Sequence, residues 1–399
     1  MQAKFKSNEI IKKISFPRLP GTDGEKEAQK LIESELKSLN INKYKKESFV
    51  YTRFFMNVLL RIFSFLIGLQ MILLIGLLYF HFYYLVILFA FVLLITAFFS
   101  REIREKIQFT FTNIGKKWNS YNYIVELPAK HKNKDKNQNI IIFAHYDSIS
   151  MSFHPIFDGA IFFFSLIGGT IFAIHILLIT LFYLFNLLAI EIIQFIYGFF
   201  LAGFYSLQLF NKRHNKSFGT ADNATAVANA FYNIEFFSKD PLENTNLIIV
   251  LTGAEEMGDY GADAFIKKHH SELNRNNSFF FIPDTVGSNK ETNQYAYAQG
   301  LPKKEYSPVI KNAIEQLLES SKKDYKIKPF YIPPLIHFST DHAPLKPFGY
   351  QFMIFLSNAP IHSRRDNIDN YFPEMLEDFN SFLRDLIIHM DKNSQYKMD

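Results

Sequence analysis

The sequence predicts an α/β protein with a mostly parallel, mixed sheet flanked by helices, into which two transmembrane helical hairpins are inserted. Two observations predict this fold. Short apolar runs alternate with amphipathic helical stretches over much of the 399-residue chain, which is typical of a largely parallel sheet covered by helices. Two long apolar regions interrupt this alternation, and both are long enough to cross a membrane.

The two apolar regions predict the hairpins. From Ile62 to Ser100 the sequence contains no Asp, Glu, Lys or Arg, and from Gly159 to Phe210 its one charged residue is Glu191. A single span needs about 20 apolar residues, so each region fits two spans joined by a tight turn. We expect these turns near His81 to Tyr84 and near Phe185 to Glu191. Uncharged runs of this length disfavour the alternative, a set of buried core helices.

The remaining chain forms three polar segments, 1–55, 101–158 and 211–399, which we expect to build one domain around hairpins at 56–100 and 159–210. Basic residues flank both apolar regions, whereas the two predicted turns contain no Lys or Arg. The flanking residues are Arg53, Arg61, Arg101, Arg104, Lys106, Lys212, Arg213 and Lys216. The positive-inside rule therefore places all three polar segments and both termini in the cytoplasm, in a multi-pass integral membrane protein.

Composition excludes several other classes. The chain is 48% hydrophobic and 17% aromatic, which is too apolar for a disordered protein. It contains no Cys, so disulfides and thiolate metal sites are excluded. The net charge of +5 is modest and the lysines are dispersed among acids, so we expect no nucleic-acid partner. The first 20 residues lack the apolar core of a secretory signal.

The polar segments contain helices and strands in alternation. The first helix is predicted in "TDGEKEAQKLIESELKSL", where Thr22 and Glu25 form a capping box. Short apolar runs predict the strands "YNYIVELP", "NIIIFAHYD", "NLIIVLTG", "SFFFIPD" and "YQFMIFLS". Longer amphipathic stretches predict the helices "DNATAVANAFYNIEFF", "DYGADAFIKKHH", "SPVIKNAIEQLLESS" and "PEMLEDFNSFLRDLIIHM". The polar stretch Ala129 to Asn139 is expected to be a solvated loop between strands.

Acidic and histidine side chains follow the predicted strands where each strand ends. His145, Glu256, Asp284 and His362 come after four of the strands, and Asp222 opens a helix. Ligands bind outside the carboxyl ends of strands in open α/β sheets, so we expect these five side chains to converge. Each one alone has an ordinary explanation, such as a helix cap for Asp222. His269 and His270 end an amphipathic helix, and we expect no metal-binding role for them.

Two histidines and three carboxylates can hold two divalent metals if one carboxylate bridges them. Mixed nitrogen and oxygen ligands suit zinc, with cobalt or manganese as alternatives. The adjacent pair Glu255 and Glu256 then has a rationale: if Glu256 binds metal, Glu255 can act as the general base of a two-metal hydrolase. Asp147, two residues after His145, suits a supporting role in which it accepts the free ring N–H of His145.

Six motifs occur in an order that resembles a known enzyme family. They are "AHYDS", "ADNATAVA", "GAEEMGDYGA", "PDTVG", "STDHAPL" and "IHSRRDNID", preceded by "FPRLPGTDGEKEAQKLI". The set is similar to the aminopeptidase Y and glutamate carboxypeptidase II family of co-catalytic two-zinc exopeptidases. The resemblance covers nearly all of the polar chain and none of the apolar regions, so it implies a membrane-embedded member whose three polar segments form the peptidase domain.

The resemblance implies a role for each motif residue. It implies that His145 and Asp284 hold one metal, that Glu256 and His362 hold the other, and that Asp222 bridges the two. It further implies that Glu255 is the catalytic base and that Asp147 orients His145. Asp341 and His342, in "STDHAPL", match a family motif near the substrate pocket, which is the weakest of these assignments.

The sequence departs from the family pattern in two ways. Ala221 and the pair Thr225–Ala226 replace a more usual polar residue and Ser-Gly around the bridging Asp, which alters the turn but removes no ligand. The apolar hairpins also lie inside the domain. His145 and Asp222 must reach the same metal pair, so the chain between them must cross the membrane an even number of times. Two plus two spans satisfy this condition.

These observations favour a membrane-bound, zinc-dependent exopeptidase, with an aminopeptidase as the leading hypothesis. A carboxypeptidase or another amidohydrolase remains the alternative, since Arg364 and Arg365 beside His362 could meet a substrate carboxylate. A non-catalytic membrane scaffold is disfavoured because every ligand and the base are present. Only 11 residues separate Asp147 from Gly159, so the metals are expected within roughly 40 Å of the spans. We therefore expect two partners, a short apolar peptide substrate and the lipid bilayer.

Overall fold

The computed structural model describes residues 7–98, 114–131, 137–153, 155–184, 191–333 and 339–393. The chain divides into two compact units. The first, which we call the sheet unit, comprises Met1–Tyr51, Trp118–Ser150 and His214–Asp399. The second, the helical unit, comprises Thr52–Lys117 and Met151–Arg213.

Nine strands form the main sheet. They are β1 (Lys45–Thr52), β2 (Lys117–Leu127), β3 (Gln138–His145), β6 (Thr245–Thr252), β7 (Ser278–Pro283), β8 (Asn293–Gln299), β9 (Lys304–Glu305), β10 (Ile327–Ile332) and β11 (Gln351–Leu356). Two short strands form a separate pair, β4 (Ser150–Met151) and β5 (Arg213–His214).

The described helices fall into two sets. Those of the sheet unit are α1 (Ser7–Ile14), α2 (Asp23–Ser38), α7 (Thr225–Lys239), α8 (Tyr260–His269), α9 (Pro308–Ser320) and α10 (Pro373–Lys392). Those of the helical unit are α3 (Leu60–Tyr79), α4 (Tyr83–Phe98), α5 (Pro155–Leu184) and α6 (Glu191–Leu207). The helical stretches and strands predicted from the sequence of the polar segments are all present.

The main sheet is mixed, which confirms the predicted α/β class. Its strand order is β1-β2-β6-β3-β7-β11-β8-β10, with β9 paired to β8. The four central strands β6, β3, β7 and β11 run parallel to one another, whereas β2 and β8 run antiparallel to their neighbours β6 and β11. The carboxyl ends of the four parallel strands therefore meet at one edge of the sheet.

Alternating side chains of the central strands enter two separate cores. In β7, Phe279 and Phe281 point into the larger core, which α1, α2, α7, α9 and α10 complete, while Phe280 and Ile282 point into the smaller core under α8. Strand β3 follows the same pattern, with Ile140 and Ile142 on the first face and Ile141 on the second. Because both faces are covered, the strands are continuous apolar runs, as expected for a parallel sheet.

The predicted capping box at the start of α2 is wrong. Thr22 is the residue before the helix, but its hydroxyl donates to the carbonyl of Leu19 instead of accepting a helix N–H. Glu25 is buried, and its carboxylate accepts the N–H of Gly21 and the hydroxyl of Ser120. Both Glu25 oxygens therefore have other partners, and the Thr22 N–H donates to the carbonyl of Leu19.

The helical unit contains two helices that are long and apolar enough to cross a membrane, within the part of the chain that the structure describes. They are Phe55–Tyr79, with 25 residues, and Ile167–Leu184, with 18 residues. Tyr83–Thr96 and Phe195–Phe210 are apolar but shorter. The first predicted turn lies between α3 and α4, where His81 has a positive φ of 60°. Residues 185–190, where the second turn is predicted, lie outside the described residues.

The helices of this unit pack closely around an apolar interior. Met71, Leu74 and Phe172 are fully buried in it. Close approach depends on small residues: a Cβ added at Gly198 would lie 2.4 Å from Ile75 Cδ1 and 2.8 Å from the Phe172 ring. A Cβ at Gly68 would lie 3.0 Å from the Ala202 carbonyl oxygen. Small residues at helix contacts are typical of helix pairs in membranes.

The sheet unit allows a matched test of its buried face. Val250 in β6 is fully buried, whereas Val50 in β1 is 52% exposed. Since Val250→Ala removes buried methyl groups and leaves a cavity, we expect it to lower the free energy of unfolding by about 2 kcal/mol. Val50→Ala should change it by less than about 0.5 kcal/mol. Thermal unfolding of the purified chain measures both, and equal losses would contradict this assignment of the core.

Candidate metal centre

The five predicted ligands converge at the carboxyl edge of the central strands. His145 is the last residue of β3, and its Nε2 lies 3.2 Å from Asp222 Oδ1. The other oxygen of Asp222 lies 3.2 Å from His362 Nε2. The same nitrogen of His362 lies 3.2 Å from Glu256 Oε2. Asp222 thus lies between His145, which precedes it in the sequence, and His362, which follows it.

The ligand atoms form two groups that share Asp222. His145, Asp222 and Asp284 make up one group, and Asp222, Glu256 and His362 make up the other. Within each group, the potential ligand atoms all lie within 4.8 Å of one another. This is the division of ligands that the family resemblance implies, with Asp222 in the place of a bridge. Whether each residue binds metal stays a prediction.

The chemistry of the donor atoms fits zinc. His145 is buried, and neither of its ring nitrogens makes a hydrogen bond of ordinary geometry among the described residues. Oε1 of buried Glu256 also has no hydrogen-bond partner there. Buried polar atoms are almost always satisfied, so such a cluster indicates a site for another group. Imidazole nitrogen and carboxylate oxygen are both common zinc ligands.

Burial and neighbouring charges raise the pKa values of four of the five predicted ligands. Burial lowers the pKa of His145, but the adjacent Asp222 carboxylate outweighs it and holds this pKa well above its usual value. The pKa of His362 is raised in the same way, because Glu256 and Asp222 outweigh its burial. Burial raises the pKa of Glu256 to about 7 and that of Asp284 to about 6. Metal binding must displace these protons, so metal affinity should rise with pH through neutrality.

Asp147 supports the site in a way that the sequence did not indicate. Its Oδ1 lies 3.7 Å from His145 Nδ1, which is too long for a hydrogen bond. Its two oxygens instead accept the backbone N–H groups of Glu255 and Glu256, at 3.1 and 3.0 Å. Asp147 therefore fixes the turn that presents the predicted base and the predicted ligand. A direct bond that orients His145 stays a prediction.

Glu255 lies close to the ligands. It is 9% exposed, and its Oε2 is 3.9 Å from His145 Nε2. Burial and the nearby charges of Asp259 and Glu256 hold its pKa well above the usual value. An isolated buried pair of this kind would be unfavourable, so the position of Glu255 beside Glu256 makes physical sense when cations occupy the site.

Asp366 is a site residue that the sequence interpretation missed. It is fully buried, and its Oδ1 accepts the N–H of Ala221 at 2.6 Å, just before Asp222. Its Oδ2 accepts the hydroxyl of Ser217 at 3.3 Å. The neighbouring Arg364 and Arg365 are both exposed. The position of Asp366 in the motif "IHSRRDNID" was the available signal.

The two weakly predicted substrate residues are buried. Asp341 is 1% exposed, and one of its oxygens accepts the hydroxyl of Thr252 at 2.5 Å. His342 is fully buried, with its ring 5.9 Å from the ring centre of Tyr306 and 5.2 Å from that of Phe352. Substrate contact for Asp341 and His342 stays a prediction. His269 lies apart from the ligands, where it contacts Glu47 at 3.1 Å.

The shared position of Asp222 predicts a difference in metal content between variants. Asp222→Ala should lose both ions because Asp222 belongs to both ligand groups. Asp284→Ala should lose mainly one ion because Asp284 belongs to a single group. Elemental analysis of the purified parent should find about two zinc ions per chain. Asp369→Ala, at an exposed position, is the control, and full metal content in Asp222→Ala would contradict the bridge.

Comparisons with known proteins agree with this geometry. Residues 206–387 match the sequence model of Peptidase family M28. A comparison with curated proteins finds no match. An aminopeptidase from Aneurinibacillus sp. strain AM-1 is 18% identical with a TM-score of 0.43, and the match covers 68% of this chain but only 48% of that chain.

Two further solved structures share the fold over nearly their whole length. BSAP, a zinc aminopeptidase from Bacillus subtilis, is 13% identical, with a TM-score of 0.53 over 97% of this chain and 95% of that chain. A glutaminyl cyclase from an Acidobacteriales bacterium is 11% identical, with a TM-score of 0.55 over 98% of this chain and 97% of that chain. At these identities the likeness shows the fold.

The matched segment 206–387 contains four of the five predicted ligands and the predicted base. The motif resemblance, the mixed sheet and the shared carboxylate point to the same family as this match. Over residues 206–387 the chain is therefore similar to peptidase family M28, and its fold is similar to that of BSAP.

Proposed function

We propose that this protein is a membrane-bound, zinc-dependent aminopeptidase that removes N-terminal residues from short apolar peptides. The observation that carries the proposal is the position of Asp222, which lies 3.2 Å from each of two histidines and belongs to both ligand groups. That arrangement suits a pair of ions and a hydrolytic reaction. The zinc aminopeptidases that share the fold support the same reaction class.

The residues of the chain have distinct tasks in this proposal. When bound, the metals would polarise the scissile carbonyl and acidify the attacking water. Glu255 would accept a proton from the water and return it to the amine of the leaving group. Asp147 holds Glu255 in place by accepting its backbone N–H. His145, Asp284, Glu256 and His362 would hold the metals, together with Asp222, which belongs to both ligand groups.

The charges around the site favour an aminopeptidase over a carboxypeptidase. Two further buried carboxylates, Asp259 and Asp341, contribute to the raised pKa of Glu255. An excess of buried acids suits the positive amino terminus of a peptide and repels a carboxylate. Arg364 and Arg365, the basic candidates for binding a carboxylate, are exposed. Glutaminyl cyclases share the fold, and glutaminyl cyclase activity is a third outcome of the test.

The apolar exterior of the helical unit supports membrane attachment; four spans are part of the proposal, and two of the described helices have the length of a span. The unit is apolar inside and also carries many large apolar side chains on its exterior, where a soluble helix would be polar. They include Ile62, Phe65, Leu66, Leu69, Leu73, Leu88, Phe91, Ile171, Ile174, Leu178, Phe199 and Phe200. At the turn after α3, the rings of Tyr83 and Tyr183 stack with centres 5.6 Å apart. Aromatic side chains are enriched where spans meet the membrane surface.

A substrate panel tests the activity. The full-length protein, in lipid nanodiscs, is assayed with aminoacyl substrates, N-blocked dipeptides and peptides with N-terminal glutamine, with and without a chelator. We expect chelator-sensitive release of bulky apolar N-terminal residues. Cleavage of N-blocked dipeptides would establish a carboxypeptidase instead, and cyclisation without release of an amino acid would establish a glutaminyl cyclase. No turnover of any substrate by metal-loaded protein would contradict the proposal.

Substitution of the two adjacent glutamates separates the base from the ligand. Glu255→Gln should retain the metals but lower kcat by roughly 10²- to 10⁴-fold, because it removes a positioned proton acceptor. Glu256→Gln should instead lower metal content, because Glu256 lies in a ligand group. Parallel metal analysis and kinetics measure both effects. The opposite pair of phenotypes would show that the two roles are exchanged.

Tag accessibility tests the proposed topology. Epitope tags at residue 1, within 131–137 and at residue 399 should all be cytoplasmic, because basic residues flank the apolar regions on that side. Tags near residues 82 and 187 should lie on the far side of the membrane. Protease protection in sealed vesicles distinguishes the two sides. A far-side position for residue 399 would contradict the four-span arrangement.

A further inference from the structure

Arg18 is fully buried. Among the described contacts of its side chain, all of its hydrogen bonds go to backbone carbonyl groups. Its Nε donates to Tyr146 at 2.5 Å, and its Nη2 donates to Gly219 at 2.6 Å. Its Nη1 lies within hydrogen-bonding distance of the carbonyl oxygens of Ile14, Phe16 and Phe218. A buried guanidinium is costly unless its donors are satisfied, and these carbonyls come from three separate parts of the chain.

Two of those parts carry predicted metal ligands. Tyr146 directly follows His145, and Phe218 and Gly219 shortly precede Asp222. The main chain of Arg18 strengthens the first connection, because its N–H donates to Ser148 Oγ at 3.2 Å. Arg18 therefore ties the segment before α2 both to the end of β3 and to the loop that presents Asp222.

The loop before Asp222 is shaped around this guanidinium. Gly219 has a positive φ of 58°, and a Cβ at this position would lie 2.8 Å from both terminal nitrogens of Arg18. It would also lie 2.4 Å from Ser148 Cβ. Gly is thus the residue that permits this approach. The loop is held from two directions, since Arg18 binds its carbonyl groups and Asp366 accepts the N–H of Ala221.

We propose that Arg18 is a positioning residue for the metal centre, which sets the distance between His145 and Asp222 by binding the backbone of both ligand-bearing segments. The proposal rests on the proposed metal site. Arg suits this task because its planar guanidinium offers five N–H donors in a fixed geometry. Lys would retain the positive charge but could not reach the same set of carbonyl groups.

Arg18 also brings a positive charge close to the acidic ligands. Burial lowers its pKa to about 10, and the charges of Asp366, Asp147 and Asp222 oppose that shift. Arg18 therefore remains protonated at neutral pH. Its charge reduces the mutual repulsion of the carboxylates while the site forms.

The test measures metal binding, separately from activity. Full-length parent, Arg18→Lys and Arg384→Lys, all solubilised and stripped of metal, are titrated with Zn²⁺ by calorimetry. Their Co²⁺ complexes are compared by visible absorption, which reports ligand geometry. Arg384 is a matched control because it donates to Tyr232 and pairs with Asp385, and none of these three is a site residue.

We expect Arg18→Lys to weaken zinc binding by about 10- to 100-fold, the usual effect of removing a group that orients metal ligands. Its cobalt spectrum should change, whereas Arg384→Lys should match the parent in both measurements. A purely structural role would instead lower the unfolding midpoint of the metal-free protein and leave the zinc affinity of the folded fraction unchanged.

A second variant covers the case in which Arg18→Lys does not fold. Ser148→Ala removes the acceptor of the Arg18 N–H and leaves the guanidinium in place, and it should weaken zinc binding by about 2- to 10-fold. If Arg18→Lys folds, a zinc affinity and a cobalt spectrum like those of the parent would overturn the positioning role. If Arg18→Lys does not fold, the same result for Ser148→Ala would overturn it. Failure of the parent to bind zinc or cobalt would instead overturn the proposed metal site.

Discussion

The accumulation of buried negative charge around Asp222 is the constraint on which the site depends. Asp222 lies 5% exposed between two histidines, and Glu255, Glu256 and Asp284 are all nearby and less than a tenth exposed. Carboxylates at this density repel one another and resist burial. Protons on the ligands or cations between them must supply the missing positive charge. The acidic pair that follows β6 is stable for this reason, and not because the chain there meets water.

The charged residues around the ligands form hydrogen bonds with backbone groups, and these bonds hold the ligand-bearing segments in place. Asp147 accepts two N–H groups from the turn at Glu255 and Glu256. Asp366 accepts an N–H group just before Asp222, and Arg18 binds carbonyl groups in the same loop. Charged side chains bound to main-chain dipoles hold a loop more rigidly than contacts between flexible side chains. A site built to hold cations between carboxylates benefits from that rigidity.

The sequence predicted the sheet and the convergence of the ligands because both follow from periodicity. Parallel strands such as β3, β7 and β11 bring their carboxyl ends to one edge, so residues after each apolar run meet there. The sequence did not predict Arg18 or Asp366, whose partners are backbone atoms that any residue supplies. The capping box at Thr22 failed because Thr22 bonds to Leu19, while Glu25 bonds to Gly21 and to the distant Ser120. A short motif does not report such competing partners.

The order of strands in the sheet has a consequence for synthesis. Strand β3 lies between β6 and β7, yet about 100 residues, including α5 and α6, are translated before β6 is complete. At roughly 5–20 residues per second, the nascent β3 stays without either neighbour for roughly 5–20 s. Its segment "NIIIFA" is apolar on both faces and offers unpaired backbone groups throughout that interval. Until β6 and β7 are made, this strand is therefore open to pairing with other chains.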